Sequence, residues 1–172
     1  MTNETKVLRY AGVLLAVLLQ SVAWSADKPA RHHDGAAVIV EWNRQLLTAA
    51  EAEDGFLTLK GVRTAAMMHL AMHDALNTIV PVYERYALSD GPRAADPVSA
   101  VAQAAHDVLV ALYPNQQAAL DAALVRWLAA AGPLRDRGVE LGHAAASAIL
   151  ARREDDGWNT EAPYSFRDGP GQ

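Results

Sequence analysis

The chain has 172 residues, of which 51% are hydrophobic, and it carries a net charge of -5. This length is enough for one domain with its own core. The absence of cysteine excludes disulfides, thiolate metal ligands and cysteine nucleophiles. No cluster of Lys and Arg marks a nucleic-acid-binding surface. An alanine-rich composition with few β-branched runs predicts closely packed helices.

The first 25 residues predict a secretory signal peptide. Lys6 and Arg9 precede a short apolar run, AGVLLAVLL at residues 11–19, and small residues follow it. Cleavage after Ser25 is preferred, because Ala23 and Ser25 then occupy the two small-residue positions. A membrane anchor is the alternative, but the run is shorter than the ~20 apolar residues of a membrane span. The sequence therefore predicts an exported protein, periplasmic or extracellular, with no stable membrane span.

Helical periodicity predicts a single domain after this segment. Residues 26–35 are polar and predict a flexible segment that contains His32 and His33. Apolar residues then recur every three to four positions, which is typical of helices with one buried face. Five helices are predicted, at residues 36–54, 61–79, 97–112, 115–131 and 134–154. They indicate an all-α helical bundle over residues 36–154, followed by an irregular tail at residues 155–172.

Particular residues define the ends and the faces of these helices. Gly55 ends the first helix, and Asp96 caps the third, which Pro97 begins. The second helix is apolar on nearly every side and is predicted to be central in the domain. Small residues at four-residue steps in the fifth helix predict close approach of a neighbouring helix: Gly138, Gly142 and Ala146. The buried stripe of the first helix is predicted to contain Val38, Trp42, Leu46 and Ala49.

Two histidines on the second helix raise the question of a metal site. His69 and His73 are four residues apart and share one face, so both imidazoles could reach one ion. Zinc requires a further protein ligand, and Asp74 lies about 100° around the helix from His73. Hydrogen-bonded structural histidines are the more common case in buried helices. We therefore expect the stripe of His69, His73 and Asn77 to bond a neighbouring segment and to face a cavity.

The remaining histidines predict no site. His106, followed by Asp107, and His143 are interpreted as isolated residues at the surface or boundary of the domain. His32 and His33 are interpreted as part of a solvated linker, with weak metal binding as the alternative. The sequence contains no Gly-x-Ser-x-Gly motif, no phosphate-binding glycine loop and no Ser/His/Asp constellation. We predict no catalytic and no cofactor-binding residue in this chain.

The order of several segments resembles a known family. The chain is similar to the N-terminal helical region of bacterial proteins related to vanadium-dependent haloperoxidases, within the superfamily of type 2 phosphatidic acid phosphatases. The first part of the resemblance lies in VIVEWN (38–43), AAMMHLAMHDALNTI (65–79), Tyr83 and Tyr86. It continues in AVAQAAHDVLVALYP (100–114), GVELGHAAASAILARREDDG (138–157), Pro163, Tyr164 and DGPGQ (168–172).

The resemblance implies an exported helical protein whose relatives bind vanadate or act on phosphate esters. The family's site uses a Lys and Arg segment, a Ser-Gly-His segment and a final Arg and His, which together hold an oxyanion. Here Ser147 is followed by Ala148, and no Lys occurs after Lys60. The resemblance therefore implies the non-catalytic N-terminal half of such a protein, inactive alone, with vanadate belonging to the complete family site. The chain would be a truncated reading frame or one piece of a split protein.

The implied partner is a C-terminal catalytic half or a second polypeptide, and no nucleic acid is expected. Two other functions remain open from the residues alone. One is a free-standing helical binding module in the periplasm, which could form a homo-oligomer. The other is a weak metal-binding protein that uses His69 and His73.

Overall fold

The computed structural model describes residues 35–161 together with Pro163, Ser165 and Gly169. Over this part of the chain the protein forms five α-helices and no strand, which confirms the predicted all-α class. The helices are α1 (Gly35–Asp54), α2 (Leu59–Ile79), α3 (Pro97–Leu112), α4 (Gln117–Ala129) and α5 (Arg135–Arg152). A short 3-10 turn, Pro114–Gln116, precedes α4.

Several sequence predictions lie outside the described residues. They are the signal peptide with its cleavage site at Ser25, the paired histidines His32 and His33, and Tyr164 in the tail. Among the described helices, none has both the length and the apolar character needed to cross a membrane.

Helix α1 begins and ends close to the prediction. Its last turn passes into Gly55, which has a φ of 78° and donates its N–H to Glu51 O. Glycine adopts this left-handed conformation without the steric cost that a Cβ would bring. The predicted buried stripe is confirmed, because each of its residues is 3% exposed or less: Val38, Trp42, Leu46 and Ala49.

Helix α2 starts two residues earlier than predicted. The Thr58 hydroxyl accepts a hydrogen bond from Gly61 N and so caps the helix before the predicted start. Its predicted central position is wrong. Val62 is 53% exposed and Leu59 is 88% exposed, so one side of the first turn of α2 faces outward.

Helix α3 is the central helix of the domain. It packs against α2, α4 and α5, and residues 99–105 are buried on every side. Asp96 caps it as predicted, accepting from Ser99 N at 2.8 Å, and Pro97 is its first residue. The many alanines in this helix explain its position, because small side chains allow several neighbours to approach at once.

The contact between α3 and α5 depends on glycine, as predicted. A Cβ added to Gly142 would lie 2.6 Å from Ala100 O and 2.9 Å from Ala104 N. Gly138 and Ala146 lie on the same buried stripe. Since the opposing atoms at Gly142 are backbone atoms of α3 and the Cβ of Gln103, no rotamer change could make room for a larger residue.

Candidate functional site

The buried carboxylate of Asp74 holds the loop that follows α2. Asp74 is fully buried and accepts backbone N–H bonds from Tyr86 at 2.6 Å, Ala87 at 2.7 Å and Leu88 at 2.8 Å. Three donors compensate a carboxylate for the water that it loses on burial. Sequence reasoning placed Asp74 away from the histidine face, and the structure shows that this residue anchors the loop instead.

The predicted polar stripe bonds its neighbours and faces a cavity, as expected. His69 Nε2 lies 2.9 Å from Asn43 Oδ1 of α1. His73 Nε2 donates to Glu84 O at 3.0 Å, and Asn77 Oδ1 accepts from Tyr83 N at 2.8 Å. The stripe therefore connects α2 to α1 on one side and to the loop after α2 on the other.

A groove of about 650 Å³ opens beside this stripe. Its size lies within the range of small-molecule sites. The ring of Tyr83 stacks on His73 with 6.3 Å between centroids, which orients the imidazole at the loop side of the stripe. The groove combines an apolar floor with a few polar groups, and it is lined by Ile39, His69, Leu70, Met72, His73, Leu76, Glu84, Arg85 and Tyr86.

The two stripe histidines each bond another part of the protein. Each directs its Nε2 to a different protein acceptor, Asn43 for His69 and the Glu84 carbonyl for His73. Over the described part of the chain, no group of three or more His, Cys, Asp or Glu side chains is placed to hold an ion.

A second cluster, absent from the sequence predictions, joins three helices. His106 Nδ1 lies 2.8 Å from Asp107 Oδ1, and His106 Nε2 lies 2.8 Å from Asp121 Oδ1 of α4. His143 of α5 directs Nδ1 to the other oxygen of Asp107. Gln103 donates to Asp107 Oδ1 at 2.7 Å. We call these five residues the His106 cluster.

The interpretation of His106 and His143 as isolated residues is therefore wrong. Spacing within α3 could have suggested the bond from Gln103 to Asp107, since residues at i and i+4 are neighbours on a helix. Asp121 and His143 come from other helices, and only the packing of α4 and α5 against α3 brings them to His106. No local pattern in the sequence reports that packing.

The charges of the His106 cluster shift two pKa values in opposite directions. Burial disfavours the protonated His106 ring, but hydrogen bonds and charges from Asp107 and Asp121 outweigh it and raise its pKa above the ordinary value. Burial likewise disfavours ionised Asp107, but His106, Gln103 and His143 outweigh it and lower its pKa. A neutral imidazole has one N–H, so two carboxylate contacts at His106 require the protonated ring.

The His106 cluster is suited to holding helices together. The side chain of His143 is 55% exposed, so this end of the cluster reaches the protein surface. Asp107 and Asp121 give the cluster two carboxylates, which would repel a phosphate-like oxyanion. Electrostatics therefore exclude this cluster as an oxyanion site.

Comparison of the chain with protein-family models, curated proteins and solved structures found no match.

Proposed function

We propose that residues 36–154 are the non-catalytic N-terminal helical half of an exported protein related to vanadium-dependent haloperoxidases or type 2 phosphatidic acid phosphatases. One observation carries this proposal: the segments that resemble the family contact one another. Asn43 of VIVEWN bonds His69 of the next segment, and His73 of that segment stacks on Tyr83. Residues distant in sequence thus form one structural unit.

The other segments support the same proposal. AVAQAAHDVLVALYP forms most of α3, and GVELGHAAASAILARREDDG forms most of α5 and continues past its end. These two helices share the most extensive contact between helices in the domain. The tail that follows α5 is tied back to α2, because Arg63 Nη2 donates to Asp156 Oδ2 at 3.0 Å and to Arg153 O at 2.8 Å. These contacts join the segments in one helical unit.

The described residues do not fit vanadate. A vanadate site of the family combines an imidazole ligand with cationic side chains around the oxyanion. His69 and His73 direct Nε2 to protein acceptors, and His106 and His143 lie against carboxylates. We therefore assign no catalytic step to these residues, and the proposal leaves the oxyanion chemistry to a C-terminal half.

The test of this proposal is the nucleotide sequence beyond the codon for Gln172. The proposal predicts an in-frame continuation, or a neighbouring reading frame, that encodes a Lys and Arg segment, a Ser-Gly-His segment and a final Arg and His. A surrounding sequence with none of these three segments would contradict it.

The groove beside the polar stripe favours a second candidate, a free-standing binding module. Such a module should unfold cooperatively as a monomer or a defined dimer. A half that lacks its partner should instead bind a hydrophobic dye, because it leaves contiguous apolar surface exposed. Phe56 and Leu59, which are 68% and 88% exposed, are residues where such surface would lie.

Weak metal binding is the third function left open by the sequence. Zinc that used His69 and His73 would have to displace their bonds to Asn43 and to Glu84 O. Thermal unfolding with and without zinc distinguishes this case. A metal protein would gain stability from zinc, and a His69→Ala, His73→Ala double variant would lose that gain.

A further inference from the structure

A second pocket, of about 470 Å³, lies on the other side of the loop after α2. It is lined by the end of α2 and by the loop, and it contains Thr78, Glu84, Arg85, Ser89 and Arg93. Its volume is sufficient for a small organic ligand. The groove beside the polar stripe shares only the Glu84 and Arg85 segment with it.

We propose that this pocket binds a small monocarboxylate through Arg85 and Arg93. The charge of the pocket lining favours an anion. Arg85 and Arg93 both line the pocket, and within the described residues neither forms an ion pair with a carboxylate. Two cations that face one cavity repel each other, and an anion placed between them removes that repulsion.

Hydrogen bonds hold the Arg85 side of the pocket in place. Arg85 Nη1 donates to Thr78 Oγ1 at 3.3 Å, and Thr78 Oγ1 donates in turn to Asp74 O at 2.9 Å. The Asp74 carboxylate also accepts a hydrogen bond from the backbone N–H of Tyr86, the residue after Arg85, and so holds the backbone next to Arg85. A binding group that is held before the ligand arrives loses less conformational entropy on binding.

The shape of the arginine side chain and the net charge of the lining indicate which anion the pocket binds. The planar fork of Arg matches the two oxygens of a carboxylate. Because Glu84 lines the same pocket as Arg85 and Arg93, the net charge of the lining is +1, which suits a monoanion better than a dianionic phosphate. Asn77 also lines the pocket, and Pro81, Tyr83 and Leu88 offer an apolar surface to the body of the ligand.

The experiment is isothermal titration of the full chain with sodium acetate, propionate and benzoate, at constant ionic strength maintained with chloride. Sodium phosphate is titrated in parallel. The proposal predicts saturable binding that tightens from acetate to benzoate, because the apolar body grows while the charge stays the same. Binding of phosphate should be weaker than that of benzoate.

The variants are Arg93→Ala, Arg93→Lys and, as the matched control, Arg126→Ala. Arg126 is an exposed arginine on α4 that, within the part of the chain that the structure describes, donates only to Ala122 O. Benzoate affinity should fall about tenfold or more in Arg93→Ala, fall less in Arg93→Lys and stay unchanged in Arg126→Ala. The far-ultraviolet circular dichroism and the Tm of each variant are recorded to show that its fold is retained.

Three results would overturn the proposal. The first is an absence of saturable carboxylate binding. The second is benzoate affinity in a folded Arg93→Ala variant equal to that of the parent chain. The third is tighter binding of phosphate than of benzoate, which would assign the pocket to phosphate esters instead. None of these results bears on the proposed relation to haloperoxidases, because that relation is tested by the nucleotide sequence beyond the codon for Gln172 and not by ligand binding.

Discussion

His106 of α3 donates to Asp121 of α4 across 2.8 Å, although the two residues are separated by a helix end and a 3-10 turn. The same ring faces Asp107 through its other nitrogen, and Asp107 continues to His143 of α5. Three helices are thus joined through two imidazoles and two carboxylates, and the strength of this connection must depend on pH.

The first prediction concerns that pH dependence. The pKa of His106 is raised in the folded protein, so folding favours the protonated ring. The contribution of protonated His106 to the free energy of unfolding is then complete below the ordinary histidine pKa of 6.5. It is lost as pH rises through the pKa of His106 in the folded protein. A His106→Gln variant should lose about 1 kcal/mol of unfolding free energy on the acid side and progressively less at higher pH.

Urea unfolding of the parent and the variant across this pH range measures the difference. Replacing Asp136 with Asn is the control, because Asp136 is exposed and its only ion pair among the described residues is with the exposed Arg135. The prediction would be contradicted if the parent and His106→Gln differed in free energy of unfolding by the same amount at every pH.

The second prediction concerns Asp74. Replacing Asp74 with Ala leaves the N–H groups of Tyr86, Ala87 and Leu88 without their acceptor, and should cost about 3 kcal/mol of unfolding free energy. Asp74→Asn should not rescue this loss fully, since its amide N–H₂ cannot accept from backbone N–H. Hydrogen exchange at the amides of residues 86–88 should accelerate.

Asp90→Ala provides the matched control on the same loop, because Asp90 is exposed and, of the residues described, bonds only Gly91 N. Equal effects of Asp74→Ala and Asp90→Ala would show that the loop is not anchored by the buried carboxylate.

The third prediction concerns the close contact between α3 and α5. Gly142→Ala should destabilise the domain by about 2 kcal/mol or more, although alanine favours helix formation, because its Cβ would press on Ala100 O. Gly35→Ala is the control, since nothing lies within 4 Å of a Cβ there. Thermal unfolding of the two variants should separate them clearly, and a Gly142→Ala variant as stable as the parent would refute the packing described here.

The fourth prediction concerns export. Expression of the full chain in a bacterium should yield a periplasmic or secreted protein whose first residue is Ala26. N-terminal sequencing and intact mass of the purified protein test this directly. A cytoplasmic protein that retains residues 1–25 would rule out the signal peptide.

The fold was largely predictable because the information is local. The alternation of buried and exposed residues, the cap at Asp96 and the end at Gly55 each depend on a few neighbours in sequence, and the structure agrees with them. The error over which helix is central has a physical reason. Hydrophobicity alone favoured α2, but the alanines of α3 allow three other helices to approach it more closely.

The site was predictable only in part. Helical spacing was sufficient to expect that His69, His73 and Asn77 share a face and bond neighbouring segments. It was not sufficient for the carboxylate of Asp74, whose partners lie in an irregular loop. The His106 cluster escaped prediction because its members come from three helices, and sequence spacing does not report how helices pack.

The most direct test of the proposed function is an activity measurement on the completed protein. The chain is expressed alone and together with the polypeptide that carries the Lys and Arg, Ser-Gly-His, and Arg and His segments. Vanadate-dependent bromide oxidation and phosphate-ester hydrolysis are then assayed. The account predicts neither activity for the chain alone, and one of the two for a co-purifying complex. Turnover by the chain alone, or a complex that binds no vanadate and has neither activity, would contradict it.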